Sequence, residues 1–170
     1  DDLGSRGLGD VYKRQHEDPP LNVVLYEPQI PPNTGNIARL CAAVRCHLIL
    51  LGKLGFELTD SQLKRAGLDY WQWVSWEYHE DPEAFLQNLP EASIRCLSVH
   101  VHKPYTQMNP SHGDYLFFGK ETTGLPKAWL ERYAEQAFTI PMWESGVRSL
   151  NLGSSVAIVV YDALRQMKVF

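Results

Sequence analysis

The sequence predicts a single α/β domain, a mostly parallel sheet flanked by helices. Three observations predict it. A chain of 170 residues with 44% apolar composition is long enough for one sizeable core. Its opening run, "LNVVLY" (21–26), then a helix-periodic segment, then "HLILL" (47–51), reads strand, helix, strand. Further short apolar runs then alternate with helical stretches to the end of the chain.

The elements follow in order. "LNVVLY" is a buried strand stopped by Pro28, and the Pro-rich loop after it leads to a helix over 34–45 with Ile37, Leu40, Cys41 and Val44 at helical spacing. Gly52 ends the second strand. "TDSQLKRAG" reads as a short capped helix exposing Lys64 and Arg65, and "DPEAFLQNL" as another, with aspartate at its cap and proline at its first position. Between them "YWQWVSWEY" alternates aromatic and polar residues, as a strand with one aromatic face does. "IRCLSV" (94–99), "YLFFG" (115–119) and "AFTIP" are further strands, and "LPKAWLERYAEQ" is an amphipathic helix. The last helix, 152–168, is apolar on nearly every side in its first half and must be covered on more than one face, by its own core or by a second subunit.

The first twenty residues lack apolar periodicity and a signal-peptide core, and do not begin with methionine, so they are left out of the fold. "GLGDVYKRQ" reads as a translated cloning remnant or as a disordered tail, with the domain itself over 21–170.

Composition excludes several classes. No apolar run approaches the roughly 20 residues of a membrane helix, and a formal charge of −4 argues against coating nucleic acid through bulk charge. Cys41, Cys46 and Cys96 have no C-x-x-C spacing, which fits reduced thiols in the cytoplasm. "NTGNIA" has one glycine where a dinucleotide fingerprint needs three. In "GDYLFFGKE" five residues separate Gly113 from Gly119 where a phosphate loop needs four, and Glu121 stands where a hydroxyl would bind magnesium. His100 and His102 read as loop histidines, and no metal is expected.

Three loops follow strands and lead into helices: "EPQIPPNTGN", "GKETTGLP" and "IPMWESGVRSLNLGSS". In open α/β sheets that edge binds ligands. Singly, Asn33 or Thr34, Gly124 with Pro126, and Ser149 with Asn151 read as caps and turns. Together they gather two amides, two arginines, a glutamate and a serine at one edge.

"NTGNIARLCAA", "LFFGKETTGLP" and "IPM" followed by "RSLNLGSSVAIVVYDALRQ" resemble, in order and spacing, the three motifs of the SPOUT class of S-adenosylmethionine-dependent RNA 2′-O-methyltransferases. "LNVVLYEPQIPPNTGNIARL" and "RAGLDYW" narrow the resemblance to the branch that methylates the wobble nucleotide, position 34, cytidine or modified uridine, of tRNA. The resemblance implies a SPOUT fold with a C-terminal deep trefoil knot, S-adenosylmethionine as cofactor, a cytoplasmic homodimer, and the tRNA anticodon stem-loop, of a leucine tRNA, as substrate. It implies cofactor contacts from Leu97, Gly119, Glu121, Ile140, Met142, Ser149 and Leu150, and catalytic or orienting roles for Arg39, Asn33, Glu121, Ser149 and Asn151. Arg39, Lys64, Arg65 and Arg148 are the RNA contacts it implies. A guanidinium is a poor proton acceptor, so Arg39 reads as a clamp on a phosphate or hydroxyl rather than as the base. Asn33, six positions before Arg39, is expected to act from the loop ahead of the helix.

Overall fold

The computed structural model describes residues 9–13, 17–58 and 72–170. Seven strands, β1 (Val11–Lys13), β2 (Leu21–Tyr26), β3 (His47–Leu51), β4 (Ser75–His79), β5 (Ile94–Leu97), β6 (Asp114–Phe118) and β7 (Ala137–Phe138), form one sheet in the order β1-β4-β3-β2-β6-β5-β7. From β2 to β7 every pairing is parallel, and β1 alone runs antiparallel, against β4. β1 lies within the first twenty residues, where the sequence predicts no element of the fold. Pairing through backbone groups at an open sheet edge requires no apolar periodicity, so periodicity could not reveal it.

The central strands bury both faces, which is why they read as continuous apolar runs. Leu21, Val23 and Leu25 of β2, with Leu48 and Leu50 of β3, join one core cluster, and Val24, Ile49 and Leu51 join the other. Among the described residues two helices cover the first face: α1 (Pro31–Val44) with Ile37, Ala38 and Cys41, and α4 (Leu152–Gln166) with Val156, Val159, Val160, Ala163 and Leu164. The second face packs on α2 (Pro82–Gln87) through Phe85 and Leu86 and on α3 (Lys127–Arg132) through Trp129. Among the described residues no helix is long and apolar enough to cross a membrane.

Several expected boundaries move. α1 begins at Pro31 rather than 34, with Ile30 as its cap residue and no side-chain cap, because two prolines in the first turn need no backbone N–H partner. Asn33 therefore sits inside the first turn and is not the loop residue expected. α3 stops at Arg132 and a separate 3-10 turn, Ala134–Gln136, replaces its predicted second half. β4 starts only at Ser75, and its non-aromatic face is buried as well. There His47 of β3 pairs through Nδ1 with Ser75 Oγ (2.6 Å) and through Nε2 with Glu77 Oε1 (2.7 Å), so the buried polar groups are hydrogen-bonded to one another. α2 is as predicted, with the Asp81 carboxylate accepting from the Ala84 amide.

α4 buries a single face in the isolated chain. Ile158 and Tyr161 are exposed, and Tyr161 stacks on Phe170 with ring centroids 5.8 Å apart. Its own core does not cover the helix on every side. The segment carrying Lys64, Arg65 and "TDSQLKRAG" lies outside the described residues.

Candidate active site

Because the strands are parallel, β2, β5, β6 and β7 deliver their following loops to the same edge of the sheet. A cleft of about 760 Å³ opens there, a size that suits a nucleoside-scale ligand. Leu97, Phe118, Ile140, Met142, Leu150 and Leu152 supply apolar walls.

Glu121 ties the loops together. Its Oε1 accepts from the Gln29 amide (2.9 Å), and its Oε2 accepts from the Ile30 amide (2.9 Å) and from Asn33 Nδ2 (3.2 Å). Asn33 Oδ1 in turn accepts from Asn151 Nδ2 (3.1 Å), while Asn151 Oδ1 accepts from the Ser154 amide and so caps α4. One hydrogen-bonded chain thus fastens the loop after β6 to the first turn of α1 and to the start of α4. Both oxygens of Glu121 and both ends of Asn33 are engaged, which makes them braces rather than proton carriers.

Gly119 sets the shape of the cleft wall. The loop after β6 folds back so that Gly124, in a left-handed conformation (φ +73°), bridges Lys120, and a Cβ at residue 119 would stand 2.1 Å from the Gly124 carbonyl carbon. Only glycine permits that approach.

Beside this turn, Lys120 Nζ donates to Glu27 Oε1 (3.2 Å) and the Lys53 amide donates to Glu27 Oε2 (2.9 Å). Burial alone would push the Glu27 carboxyl up; the Lys53 amide and the Lys120 ammonium outweigh it and hold the group below its ordinary value.

Of the predicted residues, Asn33, Leu97, Gly119, Glu121, Ile140, Met142, Arg148, Ser149, Leu150 and Asn151 all line the cleft. Arg39 does not. It lies on the exposed face of α1, because six residues of helix leave it roughly 120° around the axis from Asn33. The structure adds Ser98, His100, Thr139 and Ser155 to the lining. Ser98 and Thr139 are the first residues beyond β5 and β7, although the sequence predicts that both strands continue through them. His100 and His102 are in the loop after β5, and no group of His, Cys, Asp or Glu that could hold a metal ion occurs among the described residues.

Comparison with known proteins decides the class, because the model of the SpoU rRNA Methylase family matches residues 20–161. The chain belongs to the SpoU methylase family. As a SpoU methyltransferase it is an enzyme, and it has relatives of similar length. The tRNA (cytidine(34)-2′-O)-methyltransferase of Escherichia coli strain K12 is 44% identical over 148 residues, covering 86% of this chain and 94% of that protein. The enzyme of the same name from Saccharophagus degradans is 44% identical over 148 residues, covering 86% and 96%. A solved structure from a study of 2-OH methylation of C/U34 on tRNA superposes with a TM-score of 0.81 at 42% identity, over 88% of this chain and 97% of that one. The SpoU methyltransferase AviRb from Streptomyces viridochromogenes, in complex with AdoMet, shares the fold alone, with a TM-score of 0.78 at 23% identity over 91% and 60%.

Proposed function

We propose that this SpoU methyltransferase moves a methyl group from S-adenosylmethionine to the ribose 2′-hydroxyl of nucleotide 34, cytidine or modified uridine, in the anticodon stem-loop of a leucine tRNA. The observation that carries the reading is the coincidence of the cleft with three loops braced by Glu121, Asn33 and Asn151, in a chain 44% identical to relatives named for 2′-O-methylation of cytidine 34 in tRNA.

The cleft suits the cofactor: Leu97, Ile140, Met142 and Leu150 offer apolar contact for an adenine, and the backbone at Gly119 can approach closely because no Cβ intervenes. When bound, S-adenosylmethionine supplies a sulfonium methyl group as electrophile. The work left to the chain is alignment and proton removal. Glu121, Asn33 and Asn151 hold the loops in register, and Ser149, exposed on the cleft lining, presents a hydroxyl to the ribose. Arg148 at the rim, and Lys64 with Arg65, meet phosphates. Arg39 clamps RNA rather than serving as base, and the hydroxyl proton leaves to water.

The same reading places the enzyme in the cytoplasm as a homodimer, with Ile158, Tyr161 and Phe170 offering apolar surface to a second copy that brings Arg39 beside the RNA. It assigns 21–170 to the methyltransferase domain, with a trefoil knot in its C-terminal part. Incubation with unmodified tRNA and labelled S-adenosylmethionine, followed by mapping of 2′-O-methyl groups, tests it. Methylation at nucleotide 34 is expected. Methylation elsewhere would move the target and keep the chemistry, and no transfer to any RNA would refute the reading.

A further inference from the structure

Trp143 is fully exposed, at 101% of the reference for its residue type, whereas Trp73 is 58% exposed and Trp76 and Trp129 are both 3% exposed. Trp129 also donates its indole N–H to Glu83 (2.9 Å). Trp143 directly follows Met142 and precedes Ser145 by two positions, and both of those line the cleft. A turn closed by the Val147 amide on the Glu144 carbonyl (3.2 Å) carries the chain back to Arg148 and Ser149 at the rim. The segment ends at Asn151, in the braced corner. The indole is thus carried between two cleft-lining positions, Met142 and Ser145, without itself lining the cleft.

We propose that Trp143 is a stacking platform for an unpaired base of the RNA, at or beside the nucleotide whose ribose enters the cleft. The inference rests on the RNA-methyltransferase reading above and adds to it a residue that sets substrate choice. An unpaired loop nucleotide presents an open π-face, and aromatic side chains receive such bases while a nearby arginine holds the phosphate. Trp143 and Arg148 form that pair of functions, five residues apart on one exposed turn. Its neighbours Glu144, Ser145 and Gly146 are exposed and polar or small, unlike the apolar set of Ile158, Tyr161 and Phe170 that fits a second copy.

The test compares wild type, Trp143→Ala and Trp143→Tyr. Methyl transfer is measured on an anticodon stem-loop RNA, on the same RNA with single abasic sites around nucleotide 34, and alongside S-adenosylmethionine affinity and molecular mass in solution. Trp143→Ala should raise KM for the RNA roughly tenfold, within the range of one lost base–aromatic stack, with cofactor affinity and mass unchanged. Trp143→Tyr should recover most of that loss. One abasic position should raise KM for wild type and erase its difference from Trp143→Ala. An unchanged KM in Trp143→Ala overturns the proposal, as does a rise that coincides with loss of self-association. If wild type transfers no methyl to any RNA, the enzymatic reading fails. Stacking is then judged separately, by quenching of 2-aminopurine RNA by wild type and its loss in Trp143→Ala; no quenching overturns it.

Discussion

A single methyl group at Gly119 has nowhere to go. A Cβ there would lie 2.1 Å from the Gly124 carbonyl carbon, 2.2 Å from the Leu125 nitrogen and 2.3 Å from the Gly124 Cα, all of them backbone atoms. Ordinary contact begins at 3.4 Å, so the end of β6 and the returning turn must part by roughly 1.3 Å, more than rotamer changes can absorb. Overpacking of this kind costs about 1–3 kcal/mol, which in a domain of this size lowers the melting temperature by roughly 2–12 °C. The same movement displaces Glu121 and the cleft wall, and misplacement by about 1 Å can cost on the order of a hundredfold in rate. Gly119→Ala should therefore melt early, bind S-adenosylmethionine weakly by calorimetry, and transfer methyl groups slowly. Gly146→Ala is the control, since nothing lies within 4 Å of a Cβ at that position. If Gly119→Ala matches wild type in melting temperature and cofactor affinity, the close-approach argument is wrong.

Glu121→Gln turns one acceptor of the brace into a donor facing donors; hydrogen bonds to charged groups are worth about 1.5–3 kcal/mol. Single-turnover methyl transfer should fall at least tenfold, more than the thermal midpoint suggests. The Glu27 carboxyl, held below its ordinary value when folded, stabilises the fold above the unfolded carboxylate pKa of about 4.3 and loses that contribution as pH falls through its lower folded value. Glu27→Gln should accordingly flatten the acid limb of a plot of melting temperature against pH, and an unaltered limb would remove this pair from the stability account. Burial pushes the thiols of Cys46 and Cys96 up to about 12, and burial raises Cys41 well above its ordinary value too. A disulfide reagent at pH 8 should leave the native protein unlabelled and modify all three cysteines after denaturation.

The parts of the fold legible in the sequence were those that single segments determine. "LNVVLY" and "HLILL" are apolar at nearly every position because both their faces are covered, and Asn151 caps α4 with local chemistry. The loops at the sheet edge followed from strand order, and so did the cleft. What depended on partners from elsewhere was not legible. The prolines before Asn33 looked like loop when they are the first turn of α1. Ser75 and Glu77 read only as the polar positions of an alternating strand, whereas His47, 28 and 30 positions earlier, takes them into the interior. Glu27 passed unnoticed because its importance comes from Lys120, 93 residues on. Arg39 matched a motif by spacing, yet spacing does not tell which side of a helix the cleft is on.

The bond between Asn33 and Asn151 spans 118 positions, and the bonds from Glu121 back to Gln29 and Ile30 span 92 and 91. Contacts so distant in sequence form late, since the intervening chain must already be in place. On a ribosome, β2 and α1 emerge long before the residues that complete their edge of the cleft. A nascent chain halted between β6 and Asn151 has the sheet's central strands but lacks the bond that ties the corner to α4. The braced corner of the cleft can therefore close only once Asn151 has emerged.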